Sequence, residues 1–320
     1  MSEKESSVDE TIKQAHSGLK WTVLFRFSSQ IFNWIVTLIV IRFLTPVDYG
    51  LQAMSGLIFA LLFLLATSGI NGALIQSKSL THHQTRQLFT IIFILNISLS
   101  VLQFFVAPWI AAYYHEDQLI LIIRILAIGF LLSPFISIHD AILNRQLEFK
   151  KIAIVNLIAN LISSIFILVT AIMGFGVWAL IYGQLLSLAI RALLFVIYSG
   201  GLLKPTFNFT GVAPLLKFGT LVLSTVVIEF MMYKMDIIIG GHYLGVTLIG
   251  YYAIAYQITS LPMNKIVPIL NQVAFPTYSK LQGDQVIIEH YFLKSIRIIS
   301  FIMLPLFTGL GLISNIFVDY

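Results

Sequence analysis

In a chain of 320 residues, 58% apolar and 10% charged side chains exclude an ordinary soluble domain, which carries roughly a quarter charged residues, so the solvent must be lipid. The absence of cysteine excludes disulfide staples, thiolate metal sites and a cysteine nucleophile. The net charge of +5 reads as membrane topology and not as a nucleic-acid surface, because Lys and Arg hold loops on the cytoplasmic side.

Residues 1–16 are polar and mixed in charge, with Glu3, Lys4, Glu5, Asp9, Glu10 and Lys13, inside an expected cytoplasmic N-terminal segment, 1–19. No short apolar core with a small-residue cleavage site follows, so the first apolar run is expected to be an uncleaved span. Nine apolar spans are expected: 20–44, 47–70, 88–112, 119–140, 152–174, 177–198, 215–239, 246–275 and 292–317. Each is near the ~20 residues needed to cross a bilayer. The runs are continuous, which favours helices over the alternating ten-residue strands of a barrel. The expected fold is all-α, a polytopic membrane helix bundle.

Spans one and two meet at a tight elbow, 44–50 (LTPVDYG), where Pro and Gly stop one helix and allow a reversal. The plan returns 200 positions later: Leu44, Gly50 and Ala53 lie over Leu244, Gly250 and Ala253. Two similar lobes follow from this. The first is a six-helix lobe, 20–198; a cytoplasmic linker, 199–214, leads to the first three helices of an incomplete second lobe, 215–320. Connections alternate in charge. One set carries Lys4, Lys13, Lys20, Lys78, Arg86, Arg145, Lys150, Lys151, Lys204, Lys217, Lys280, Lys294 and Arg297; the other carries Arg42 beside Asp48, Glu116, Asp117 and Asp319. That split puts the N-terminus in the cytoplasm.

Ionisable groups inside spans cost about 2.5–3.5 kcal/mol near the helix centre on insertion scales, so each needs a reason. Arg26, Gln30 and Asn33 fall at i, i+4 and i+7, a polar stripe that faces protein or water; packing between helices is the plain alternative. The seventh span holds Glu229, Lys234 and Asp236, with Glu229 and Asp236 seven apart on one face. They read equally as a protonated or ion-paired coupling site and as a structural pair. The eighth span carries Lys265 between Pro262 and Pro268, two prolines expected to bend the helix as a hinge. Tyr252 and Tyr256, at i and i+4, form an aromatic pair for packing or for stacking on sugar rings. Arg124 sits near the outer end of the fourth span and reads as snorkelling. Nothing calls for a metal or a cofactor.

The segments 44–50 (LTPVDYG), 68–76 (SGINGALIQ), 144–150 (NRQLEFK), 174–180 (GFGVWAL), 236–240 (DIIIG) and 250–257 (GYYAIAYQ, then Leu261-Pro262) together resemble one family. It is the polysaccharide exporter, or lipid-linked oligosaccharide flippase, family of the multidrug/oligosaccharidyl-lipid/polysaccharide superfamily, closest to the colanic-acid exporter type. The resemblance runs from about residue 18 to 281. It implies two six-helix lobes around a central cavity, often with two extra helices, and alternating access. It also implies transport of an undecaprenyl-pyrophosphate-linked glycan across the bacterial cytoplasmic membrane, with polysaccharide polymerase machinery as a partner. Family members continue for several more helices, so the chain is expected either to be truncated or to need a partner.

On that reading Arg26, Gln30, Asn33, Lys234, Lys265, Tyr252 and Tyr256 are candidates for contact with the lipid-linked glycan. Lys265 is the first choice for its pyrophosphate, and Glu229 and Asp236 are the coupling candidates. An alternative is a cation-coupled drug or metabolite exporter of the same architecture, which would favour the two carboxylates. A non-transporting fragment is a third reading. A membrane enzyme ranks low, because the far-side loops are too short for a catalytic domain.

Overall fold

A computed structural model describes the backbone of residues 32–76, 82–207, 213–280, 285–312 and 314, and the side chains of 32–66, 83–207, 227–260, 289, 292–312 and 314. The described residues form helices and no strand. In chain order these are α1 (described over 32–40), α2 (Pro46–Gln76), α3 (His82–Tyr114), α4 (Gln118–Leu126), α5 (Ile128–Arg145), α6 (Phe149–Ile172), α7 (Val177–Tyr198), α8 (Ala213–Lys280) and α9 (Gln285–Leu312). Hydrocarbon offers backbone groups no partner, so each span satisfies its own by helical bonding.

Seven of the described helices are long and apolar enough to cross a membrane, with α4 and α5 counted as one span. Nine were expected. The difference has two sources: the first expected span is described only from residue 32, and the seventh and eighth, two helices that meet at a kink, are counted together as α8. The interruption in α8 is Gly245, at φ +77°. Residues 246–280 are helical throughout, Pro262 and Pro268 included. Gly245 lies between the seventh and eighth expected spans, 215–239 and 246–275, and takes a left-handed conformation at no steric cost.

The chain divides into two compact units, Met1–Tyr251 and Tyr252–Tyr320. In the first, α2 packs against α3, α4, α5 and α7, and α6 lies along α7. Its core is built around Met54, Leu119, Ile122, Ile123, Leu126 and Phe130, all buried, with the Phe59 and Phe130 rings 5.0 Å apart. Lipid tails are as apolar as these side chains, so close packing and internal hydrogen bonds hold the helices together.

At two places side chains from a neighbouring helix bond to helix carbonyls. Pro108, inside α3, has no N–H to offer the carbonyl one turn back, Phe104 O. Arg124 Nε donates to that carbonyl at 3.4 Å, and its guanidinium lies 4.5 Å from the Phe104 ring centroid. Arg124 thus has a structural partner and does more than reach for the surface. At the α4–α5 joint, Ala127, Gln103 Nε2 donates to Ile123 O at 2.8 Å and Ser100 Oγ donates to Ala127 O at 2.9 Å.

Candidate functional site

The loops sort to two ends of the first unit. At the elbow end, Thr45 begins α2 as a capping residue. Its N–H and its Oγ1 both donate to Asp48 Oδ2, at 2.8 and 2.7 Å, and Asp48 N–H lies 3.4 Å from Thr45 Oγ1. Pro46 takes the first helical position, where its missing N–H costs nothing. The other carboxylate oxygen, Asp48 Oδ1, accepts from Val177 N–H at 2.7 Å. Val177 opens α7, which has no cap of its own: the preceding residue is Gly176, at φ +56°. A Cβ at Gly176 would sit 2.9 Å from Asp48 Oδ1. One carboxylate therefore caps two helices and balances the positive dipole ends of both. The segments 44–50 and 174–180 are joined by this single side chain.

The repeat meets itself at the same end. A Cβ on Gly50 would lie 2.0 Å from Val246 O, and one on Gly250 would lie 1.7 Å from Pro46 O. Residue 50 touches 246 and residue 250 touches 46, so the contact is self-complementary, as across a two-fold axis. Beside it, α3 is tied to α8 through Tyr113. His242 Nδ1 lies 2.6 Å from Tyr113 O, and the Tyr113 hydroxyl donates to Ile238 O at 3.4 Å. The Tyr113 and His242 rings stack at 4.5 Å, with His115 5.5 Å from His242. Gly241 admits Tyr114, whose ring would lie 2.6 Å from an added Cβ.

A polar cluster occupies the membrane-spanning interior. Asn33 of α1 accepts a hydrogen bond from Ser164 Oγ of α6. Arg191 of α7 donates from Nη2 to Asn160 Oδ1 of α6 at 2.9 Å, while its buried Nε has no protein partner. Asp140 of α5 interacts electrostatically with Arg191, and Asn144 donates to its Oδ2 at 3.1 Å. The α6 residues Asn156, Asn160, Ser163 and Ser164 fall at i, i+4, i+7 and i+8, one face of the helix. That stripe is readable in the sequence but was not among the expected candidates; nor were Asp140 and Arg191.

The expected site residues fare unevenly. Asn33 joins the polar cluster. Arg26 and Gln30, which continue its stripe in sequence, lie outside the described residues. Glu229 and Asp236 are exposed on α8, and Lys234 between them is half-buried. Asp236 Oδ1 accepts from its neighbour Ile237 N–H at 2.8 Å. In the second unit the Tyr252 and Tyr256 rings stack with centroids 6.1 Å apart. The side chains of Lys265, Pro262 and Pro268 lie outside the described residues.

Comparison with known proteins places this geometry. A family described as polysaccharide biosynthesis protein matches residues 39–320. The teichuronic acid biosynthesis protein TuaB of Bacillus subtilis is 27% identical over 96% of this chain and 64% of its own length. The lipopolysaccharide biosynthesis protein WzxC of Escherichia coli is 27% identical over 94% of this chain and 62% of its own. The chain thus spans under two thirds of each of these relatives. Among solved structures, an inward-facing multidrug resistance MATE family transporter of the MOP superfamily superposes with a TM-score of 0.63 at 18% identity, covering 90% of this chain and 71% of that one. That likeness shows a shared fold, a membrane helix bundle of the kind expected from the sequence.

Proposed function

Since the chain belongs to the polysaccharide biosynthesis protein family, we propose that it is a flippase for a lipid-linked glycan. Its substrate is an undecaprenyl-pyrophosphate-linked repeat unit, moved across the bacterial cytoplasmic membrane by alternating access. The N-terminus and the linker end face the cytoplasm. Arg86, Arg145, Lys150, Lys151 and Lys204 are at that end, whereas the elbow end has Arg42 beside Asp48, Glu116 and Asp117. The elbow end, closed by the Gly50–Gly250 contact, is the side that opens to release the glycan.

The observation that carries the reading is the interior cluster of Asn33, Ser164, Asn160 and Arg191. A pyrophosphate cannot enter hydrocarbon without donors to replace its water. A guanidinium with an N–H still to give matches phosphate oxygens in a fork. Arg26, Gln30, Lys234 and Lys265 complete the set of cationic and polar contacts, and Tyr252 and Tyr256 offer a face to sugar rings. No covalent step is assigned to the chain.

The test uses cells deleted for the gene and complemented with this chain or with a longer one. Surface glycan and inner-leaflet lipid-linked intermediates are both measured. Restored surface glycan with the intermediate cleared is expected. Deletion that leaves surface glycan intact would overturn the reading. Arg26→Ala, Lys265→Ala and Arg191→Gln are each expected to leave the intermediate accumulated.

The second reading is a cation-coupled exporter. The likeness to a multidrug transporter fold and the two exposed carboxylates on α8 favour it. Under it Asp236→Asn and Glu229→Gln would dominate the loss, and the three basic substitutions would matter less.

A further inference from the structure

The linker end contains a cavity of about 420 Å³ that neither the helix packing nor the proposed transport path uses. Thr85 of α3, Arg145 and Gln146 at the end of α5, and the segment 199–203 after α7 line it. Its walls are built. His139, fully buried, sets Nδ1 2.6 Å from Phe135 O and Nε2 3.2 Å from Gly201 O, holding the segment against α5. Arg86 donates from Nε to Lys204 O at 2.8 Å and from Nη2 to Pro205 O at 3.4 Å. Thr206 N–H donates to Thr90 Oγ1 at 2.8 Å, so the same segment is pinned to α3 as well. Gly200, at φ +102°, has nothing within 4 Å of an added Cβ and leaves the space open.

The surroundings name the ligand class. The lining mixes apolar side chains, among them Ile142, Leu202 and Leu203, with the polar Thr85, Gln146 and Ser199, and Arg145 puts a cation in the wall. Leu202 and Phe207, three-quarters exposed, flank this segment, and Lys150 and Lys204 lie at the same end. Large apolar side chains beside basic ones at a helix end mark the level where acyl chains meet headgroups. A soluble anion gains nothing from Leu202 and Phe207; a phospholipid uses both. From the cavity, the cation in its wall and its apolar flanks, we propose that the linker end is a binding site for one anionic phospholipid, whose phosphate sits against Arg145 and Thr85 while its acyl chains lie along Leu202 and Phe207. The ligand is a resident lipid of the membrane, so the inference does not depend on which glycan is carried.

Native mass spectrometry of the purified chain tests this, with phosphatidylglycerol and phosphatidylcholine offered in equal amounts. Retention of phosphatidylglycerol over phosphatidylcholine is expected, falling about fivefold in Arg145→Gln, as loss of one near-surface cation implies. Arg145→Lys is expected to keep most of the preference, which separates loss of charge from loss of fold. Lys151→Gln, whose ammonium is paired with Glu148 at 2.9 Å, is expected to leave it unchanged. Equal retention of the two lipids by the unsubstituted chain would overturn the proposal. So would an unchanged preference in Arg145→Gln, or displacement of the lipid by inorganic phosphate, which would make the cavity a soluble-anion site.

Discussion

The two ends of the first unit are made from the same helices and joined in opposite ways. At the elbow end backbone meets backbone: Gly50 and Gly250 leave no room for even a methyl group, and Asp48 binds α2 to α7. At the linker end the segment 199–207 is held by side chains reaching to carbonyls, around a cavity of about 420 Å³. Backbone contact has one geometry, fitting or not fitting. Side-chain contact can lengthen and re-form. The first suits a seal that is either shut or open, and the second suits a surface that adapts to lipid.

Breaking the glycine contact should have the largest effect. Gly250→Val would force a side chain into Pro46 O, beyond the 1–3 kcal/mol typical of overpacking in a core that can yield, so a loss of about 3 kcal/mol or more is expected. Gly50→Val should cost a similar amount, because the contact is reciprocal. Thermal unfolding in detergent compares the two; strongly unequal shifts would remove the two-fold interpretation. At the linker end Gly200→Ala meets no atom, and its cost, about 1–3 kcal/mol, comes from its positive φ alone.

Asp48→Ala comes next. It removes a cap from each of two helices, at about 1 kcal/mol apiece, so a loss of about 2 kcal/mol is expected. Asp48→Asn keeps an acceptor and should lose about half of that. If hydrogen exchange in Asp48→Ala rises only at the start of α2 and not at Val177, the double cap is refuted.

Below these stands His242→Ala, which deletes one hydrogen bond and the stack on Tyr113, about 1–2 kcal/mol together. Labelling of a cysteine placed at Tyr243 should speed up in this background, and the absence of native cysteine makes that readout clean. The smallest effect belongs to Arg86→Ala, whose exposed bonds to Lys204 O and Pro205 O are worth about 0.5–1 kcal/mol. Exchange of the amides at 206 and 207 should quicken while Asp48 and Val177 stay protected. A matching change at the elbow would mean that the two ends are not independent.

Much of the fold was open to reading because its signals are local. Apolar runs marked the spans, and the repeat 200 positions apart was read as two lobes, not as the contact its glycines make. The pattern Thr45-x-x-Asp48 is a capping box on its face. What stayed hidden is non-local. The second half of the Asp48 cap needs Val177, and no rule of spacing joins the two. The α4–α5 joint falls at Ala127, a good helix former, and is held by Ser100 and Gln103 from another helix. By contrast, the kink at Gly245 falls where the apolar runs put a boundary, between the expected spans 215–239 and 246–275.

The site follows the same division. Asn33 was visible as part of a stripe, but its partner Ser164 was not. Arg191 is an isolated cation in an apolar run. Only the meeting of α5, α6 and α7 gives it Asn160 and Asp140 as neighbours.

The double cap also sets a schedule for biogenesis. Asp48 Oδ2 finds Thr45 as soon as the elbow leaves the ribosome, but Oδ1 must wait for Val177, 129 residues further on. At about 5–20 residues per second that wait is roughly 6–26 s. Through that interval α2 stands in the bilayer with half of its carboxylate uncommitted, a reserved berth that the arrival of α7 fills. The order of synthesis thereby becomes the order of assembly, and a delay between these two helices would be felt at Asp48 first.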